Sequence, residues 1–378
     1  MSEPPGLGYW RVGDDPGRRR FARVAAAGLD LEGGGRLPHV DVAYETWGSL
    51  EAGSSNAVLV LHALTGDSHA AGPVSPGHPA RGWWDGLIGP GRPIDTRRFF
   101  VVCPNVLGGC QGTTGPSSPA PDGVPYGSRF PIITIRDQVK VEAALADHLG
   151  IRRWAAVIGG SMGGMRVLEW SVMHPRRVER AVVLAIGAAA TAEQIALCSL
   201  QVRAIKADPA YVGGDYYRSG LGGGPRQGMA IARGIGQVSY RSETELAARF
   251  GRSPQGAEDP LKGGRYAVES YLEHHGDKLA ARFDPNSYIV LSEAMNHHDI
   301  GRGRGSVAAA LASVTAAVVV GAISSDRLYP VELQRELARR LPGEAPLVVV
   351  DSPMGHDGFL GETAAVGSLL ADVLGAGA

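Results

Sequence analysis

Gly159-Gly160-Ser161-Met162-Gly163 is a G-x-S-x-G pentapeptide set between two segments that give it mechanical meaning. Trp154 to Ile158 is a short apolar run that reads as a buried strand. After the pentapeptide, Met165, Leu168 and Val172 recur at helical spacing, and His174-Pro175 stops the segment. A strand that turns sharply into a helix must pass through unusual backbone angles, so small residues flank the serine. The helix N-terminus then favours negative charge beside the serine hydroxyl. The chain has 54 glycines, so the pentapeptide alone could arise by chance. Its strand-turn-helix setting makes it a nucleophile elbow, and Ser161 the candidate carrier of an acyl group.

An elbow serine needs a base and an acid that follow it in the chain. Val318 to Ile323 reads as a strand, and Ser324-Ser325-Asp326 follows directly. Leu347 to Val350 reads as another, with Gly355-His356-Asp357 just beyond. Functional residues of open parallel sheets gather at the carboxyl ends of strands, so Ser161, Asp326 and His356 are expected on one edge. His356 would take the serine proton, and Asp326 would fix the imidazole tautomer. Read alone, Asp326 could equally cap the helix that begins near Pro330.

Ala57 to Leu61 and Phe99 to Val102 are further apolar runs of buried strands, and Phe21 to Trp47 suggests a hairpin turning at Glu32 to Gly35. Helical pattern covers Ile135 to Leu149, and Ala181 to Ile186 returns to strand. The alternation predicts an α/β fold, a doubly wound and mostly parallel sheet. From about 188 to 314 strand signals vanish, and stretches such as Thr191 to Lys206 and Tyr266 to Ala281 are helical. We therefore expect a core of residues 1–187, with an irregular arm over about 1–20, a helical cap over 188–314, and a second core part over 315–378. Such a cap would close over Ser161 and leave a tunnel.

Composition narrows the partners. Formal net charge is −1, so no basic field draws nucleic acid or an acidic membrane. Three cysteines (Cys103, Cys110, Cys198) make no disulfide framework, and the start lacks a signal-peptide pattern. The apolar stretch from Val307 to Ile323 is too short to span a bilayer and reads as a helix end running into a strand. The expected compartment is the cytoplasm. His297-His298-Asp299 and His274-His275 look metal-like, but adjacent histidines point apart and no second ligand pair is spaced to help. No metal and no permanently bound cofactor are expected.

The sequence resembles the homoserine O-acetyltransferases of the α/β-hydrolase superfamily. The matching segments are Tyr44 to Gly48, His62 to Asp67, Cys103 to Pro116 with its Gly-Cys-Gln-Gly-Thr-Thr-Gly-Pro loop, and Gly159 to Met165. Arg233 to Gln237 with Ser239-Tyr240-Arg241, Ser324 to Pro330, and Gly355 to Leu360 complete the set. The resemblance implies ping-pong transfer from acetyl-CoA, through acetyl-Ser161, to the hydroxyl of L-homoserine, for methionine synthesis. It implies an oxyanion hole from the N–H groups of Leu64 and Met162, with His62 a structural histidine. It puts Arg233 on the acceptor carboxylate, Asp357 on its ammonium group and Tyr240 in the lining, and it implies a homodimer through the cap. Succinyl transfer to homoserine, acetyl transfer to serine or deacetylcephalosporin C, and ester hydrolysis remain alternatives on the same fold. The loop from Leu64 to Gly72 carries Asp67 and no arginine or lysine, which favours an acetyl over a succinyl donor unless Arg302 or Arg304 reaches in from the cap.

Overall fold

The computed structural model describes residues 8–218 and 224–375. Eight strands form the central sheet: β1 (Arg20–Val24), β2 (Val40–Trp47), β3 (Ala57–Leu61), β4 (Phe100–Pro104), β5 (Ala156–Gly160), β6 (Arg180–Leu184), β7 (Ala317–Ile323) and β8 (Leu347–Val350). Their order is β1-β2-β4-β3-β5-β6-β7-β8. β2 runs antiparallel to both β1 and β4, and the other neighbours are parallel. The order reverses between β3 and β5, where Leu61 pairs with Gly159. Loops leaving these two strands therefore emerge side by side, at the position where open α/β sheets bind ligands.

Every residue of β3 and β5 is buried, because helices cover both faces of the sheet. Successive side chains go to opposite faces. Leu59, Leu61, Val157 and Val183 pack into a core that includes α1 (Ile135–His148) and α2 (Met162–Met173). Val58, Val60, Ile158 and Val182 pack into the other core with Val366, Leu369 and Leu370 of the helix Thr363–Leu374. The expected hairpin is β1 against β2, with Arg20 opposite Tyr44 and a short ribbon of Leu29–Asp30 and Arg36–Leu37 between them. The arm over residues 1–20 lies partly outside the described residues.

The elbow strand differs from the sequence expectation. It runs two residues later, from Ala156 to Gly160, because Gly159 and Gly160 pair with β6 opposite Val183 and Leu184. The two glycines are thus part of the ladder, and the turn is compressed onto Ser161 alone.

Between β6 and β7 the chain is helical: α3 (Ala192–Ala207), α4 (Arg226–Tyr240), α5 (Glu243–Phe250), α6 (Ala267–Ala280) and α7 (Pro285–Asn296). Thr191 and Gln194 form a capping box that starts α3, and Asp284 accepts the Ser287 N–H to start α7. α4 packs against both α3 and α6. The stretch from Val307 is a helix, Val307–Leu311, followed by β7. Among the described residues no helix is long and apolar enough to cross a membrane.

Candidate active site

Ser161 is the N-cap of α2, with φ 55° and ψ −131°. A non-glycine residue seldom adopts this backbone, and it lifts the side chain above the sheet edge. Neighbouring residues must be small to permit it. A Cβ on Gly163 would lie 2.1 Å from the carbonyl oxygen of Leu61, and one on Gly160 2.5 Å from the Phe359 ring. As the first residue of α2, Met162 has an N–H without an intrahelical acceptor.

The three elements predicted to converge do so. His356 Nε2 lies 2.9 Å from Ser161 Oγ, and His356 Nδ1 lies 2.6 Å from Asp326 Oδ2. All three side chains are buried. The other Asp326 oxygen, Oδ1, accepts the N–H groups of Leu328 and Tyr329 at 2.9 Å each. The alternative reading of Asp326 as a helix cap does not hold, because the helix Val331–Arg340 starts at Pro330 without a side-chain cap. One Asp326 oxygen braces the turn just after β7 and the other faces the imidazole. Burial by itself lowers the His356 pKa, but the charge and hydrogen bond of Asp326 outweigh it, and the net shift is upward. The ring is held by Tyr329, stacked at 5.1 Å, and by Phe359, edge-on at 5.5 Å. Neither aromatic was singled out from sequence.

Leu64 sits in the loop after β3 and lines the same cavity as Ser161. That loop is fastened along its length. His62 Nε2 accepts the Val106 N–H at 3.0 Å and its Nδ1 faces the Ala63 carbonyl at 2.8 Å. Burial, then the nearby Arg166 charge, push its pKa down to about 3, so it is a neutral loop anchor. Trp83 Nε1 donates to the Asp67 carbonyl at 3.0 Å, and Glu45 takes Ser68 Oγ at 3.1 Å and faces His69 Nδ1 at 2.9 Å. Beneath the loop, buried Arg166 pairs with Glu142 at 2.7 Å and also donates to the His62 carbonyl.

A cavity of about 180 Å³ opens above Ser161. Arg233, Tyr240 and Asp357 all line it, together with Leu64 and His356. The Arg233 guanidinium lies 5.3 Å from the centre of the Tyr240 ring. Asp357 pairs with Arg241 at 3.2 Å, and Arg241 also holds Glu245 at 3.2 Å. Arg241 belongs to the Ser-Tyr-Arg segment, yet nothing in the sequence distinguished its task. Arg282, between α6 and α7, also reaches this cavity and donates to the Thr65 carbonyl at 2.9 Å. No local motif marks it; only the packing of the helical insert brings it there.

Two charge expectations change. Asp67 does not line the cavity above Ser161; its carboxylate accepts the His69 N–H at 2.8 Å and shapes the loop. Arg302 and Arg304 lie away from the site, engaged with Glu32 at 2.9 Å and Glu169 at 2.8 Å. His298 lies buried with Nε2 on the Gly187 carbonyl at 3.1 Å, a structural tie. Among the described residues Glu45, His69 and His78 have metal-like spacing. The two imidazoles are stacked at 3.9 Å with planes 13° apart, so their in-plane lone pairs cannot converge on one ion. Burial raises the pKa of all three thiols, Cys110 to about 12 and Cys198 to about 11, which keeps them protonated.

The chain matches the alpha/beta hydrolase fold family model over residues 56–363. It is 59% identical to a homoserine O-acetyltransferase of Thermobifida fusca, over 98% of this chain and 97% of that one. It is 58% identical to the homoserine O-acetyltransferase of Mycolicibacterium smegmatis, over 94% and 93%. Among solved structures it is similar to homoserine O-acetyltransferase from Bacillus anthracis, with TM-score 0.86, 27% identity, and coverage of 95% and 98%. An acetylester hydrolase from Corynebacterium glutamicum has TM-score 0.81 and 26% identity, with coverage of 95% and 97%.

Proposed function

The chain belongs to the homoserine O-acetyltransferase family of α/β hydrolases, and on that premise we propose that it moves the acetyl group of acetyl-CoA to the hydroxyl of L-homoserine through acetyl-Ser161. The observation that carries this reading is the unbroken chain Asp326–His356–Ser161 at the floor of a cavity that also holds Arg233 and Asp357.

In the first half-reaction His356 Nε2 takes the Ser161 proton as Oγ bonds the thioester carbon. The N–H groups of Leu64 and Met162 receive the developing oxyanion. The C–S bond then breaks, and His356 returns its proton to the CoA sulfur. In the second half-reaction the homoserine hydroxyl gives its proton to His356 and bonds the acyl carbon. The bond to Oγ breaks, the proton returns to Ser161, and O-acetyl-L-homoserine leaves. Homoserine is a zwitterion. The Arg233 fork suits its carboxylate and Asp357 its ammonium group, with Tyr240 as a wall. Arg241 holds the Asp357 carboxylate in place.

Water in place of homoserine would make the same machinery an esterase, and the acetylester hydrolase neighbour supports asking the question. The discriminating assay measures CoA release from acetyl-CoA with homoserine, with serine and with no acceptor. Homoserine-dependent release and an O-acetyl-homoserine product are expected. Equal release without acceptor, or a preference for serine, would overturn the reading. We further infer a homodimer through the cap. Leu200 on α3 and Ile231 on α4, 51% and 52% exposed in the single chain, support it. Sedimentation of the purified protein as a monomer would refute it.

A further inference from the structure

Two cavities meet at Ser161. The outer one, described above, contains the charged side chains Arg233, Asp357 and Arg282. The inner one, of about 30 Å³, shares Leu64, Ser161 and Tyr240 with it. Its walls are Cys198 of α3, Met295 of α7, and Leu328 and Tyr329 of the loop after β7. The remaining lining residues, such as Gln194 and Gln201, are neutral; no arginine, lysine or carboxylate lines it among the described residues.

We propose that this inner cavity is the acyl pocket, and that its size and neutral walls restrict the donor to a short, uncharged acyl chain. The inference rests on the acyl-serine reading above. An acyl group on Ser161 Oγ has its carbonyl oxygen directed at the N–H groups of Leu64 and Met162. The outer cavity must stay open, because the acceptor hydroxyl reaches the acyl carbon from there. The remaining substituent on that carbon therefore enters the inner cavity. A single water needs roughly 10–15 Å³ by the same measure, so about 30 Å³ takes a methyl group or little more. A succinyl group would place two methylenes and a carboxylate in this space. The carboxylate would be buried without a cation, which is strongly unfavourable. Donor selection thus lies in walls supplied by the helical insert and the loop after β7, away from Asp67.

The test measures acylation without acceptor, by CoA release and by intact mass of the acyl-enzyme. Donors are acetyl-, propionyl-, butyryl- and succinyl-CoA. For the wild-type chain, kcat/KM for acylation should fall about 10-fold or more between propionyl and butyryl, with succinyl slower still. Met295→Ala enlarges the cavity and should raise the butyryl-to-acetyl ratio about 10-fold or more. Cys198→Leu fills it and should slow acylation by acetyl-CoA, which tests the pocket from the opposite direction if Met295→Ala fails to fold. Butyryl or succinyl within about threefold of acetyl in the wild type, or a ratio unmoved by both variants, would overturn the pocket assignment. Absence of any acyl-Ser161 from acetyl-CoA would instead overturn the acyl-serine reading.

Discussion

Asp326 meets His356 through a single oxygen, Oδ2 at 2.6 Å from Nδ1, while its second oxygen is fixed by the backbone of its own turn. The carboxylate cannot rotate away from the imidazole without abandoning two N–H donors. Asp326→Asn should therefore keep its turn and lose the anion. Turnover should fall by roughly 10⁴, because an amide facing Nδ1 selects the wrong tautomer. The pH profile should move as well. With Asp326 present the His356 pKa stands above its ordinary 6.5, and the neutral base becomes the major form only above that raised pKa. Without the anion, burial remains and lowers it, so the acid limb of kcat/KM should shift to lower pH. An acid limb that stays in place would refute this coupling.

Acetyl-CoA mixed with the enzyme in the absence of acceptor should leave one acetyl group, on the peptide containing Ser161. Ser161→Ala should leave none. The raised thiol pKa values make Cys103, Cys110 and Cys198 poor competitors. An adduct found solely on a cysteine, or full turnover by Ser161→Ala, would defeat the assignment.

Arg233→Lys keeps the charge and removes the fork. Transfer to homoserine should slow, with a loss of about 2–5 kcal/mol if the carboxylate contact is buried. Acylation by acetyl-CoA should change little. Stopped-flow traces that slow equally in both half-reactions would show that Arg233 does not serve the acceptor.

Two glycines give a paired stability test. Gly163→Ala pushes a methyl against the Leu61 carbonyl at 2.1 Å, and backbone on both sides resists. It should cost about 1–3 kcal/mol or more, read from the denaturation midpoint. Gly234 on α4 has nothing within 4 Å of an added Cβ. Gly234→Ala should be neutral, or stabilising by roughly 0.5–1 kcal/mol through helix propensity. Equal effects at the two sites would contradict the described elbow.

The parts of the fold that follow from local rules are visible in the sequence. Continuous apolar runs mark β3, β7 and β8, and the loss of strand signals after residue 188 marks the helical insert. Ser161, Asp326 and His356 were readable because strand ends announce them. Arg233 and Asp357 required the resemblance, since a single arginine in a helix and an aspartate in a turn carry no distinguishing pattern. Arg241, Arg282 and the walls of the inner cavity were not readable at all. Cys198, Met295 and Leu328 are ordinary side chains on three separate elements, and only tertiary packing makes them one surface. The end of the elbow strand was misjudged because glycine gives no strand signal, although Gly159 and Gly160 are paired residues of β5.

The hydrogen bond from Ser161 to His356 joins residues 195 positions apart, with the whole helical insert between them. Contacts this distant in sequence form late, after the loop they close has been ordered. A ribosome would have finished β5, its elbow and the insert well before β8 existed to deliver the imidazole. Under the proposed mechanism, a growing chain would carry the serine without its base until the segment after β8 docks and brings His356 to Ser161. The same C-terminal stretch carries the helix Thr363–Leu374, whose Val366, Leu369 and Leu370 fill one of the two cores, so the base and the closing of that core arrive together.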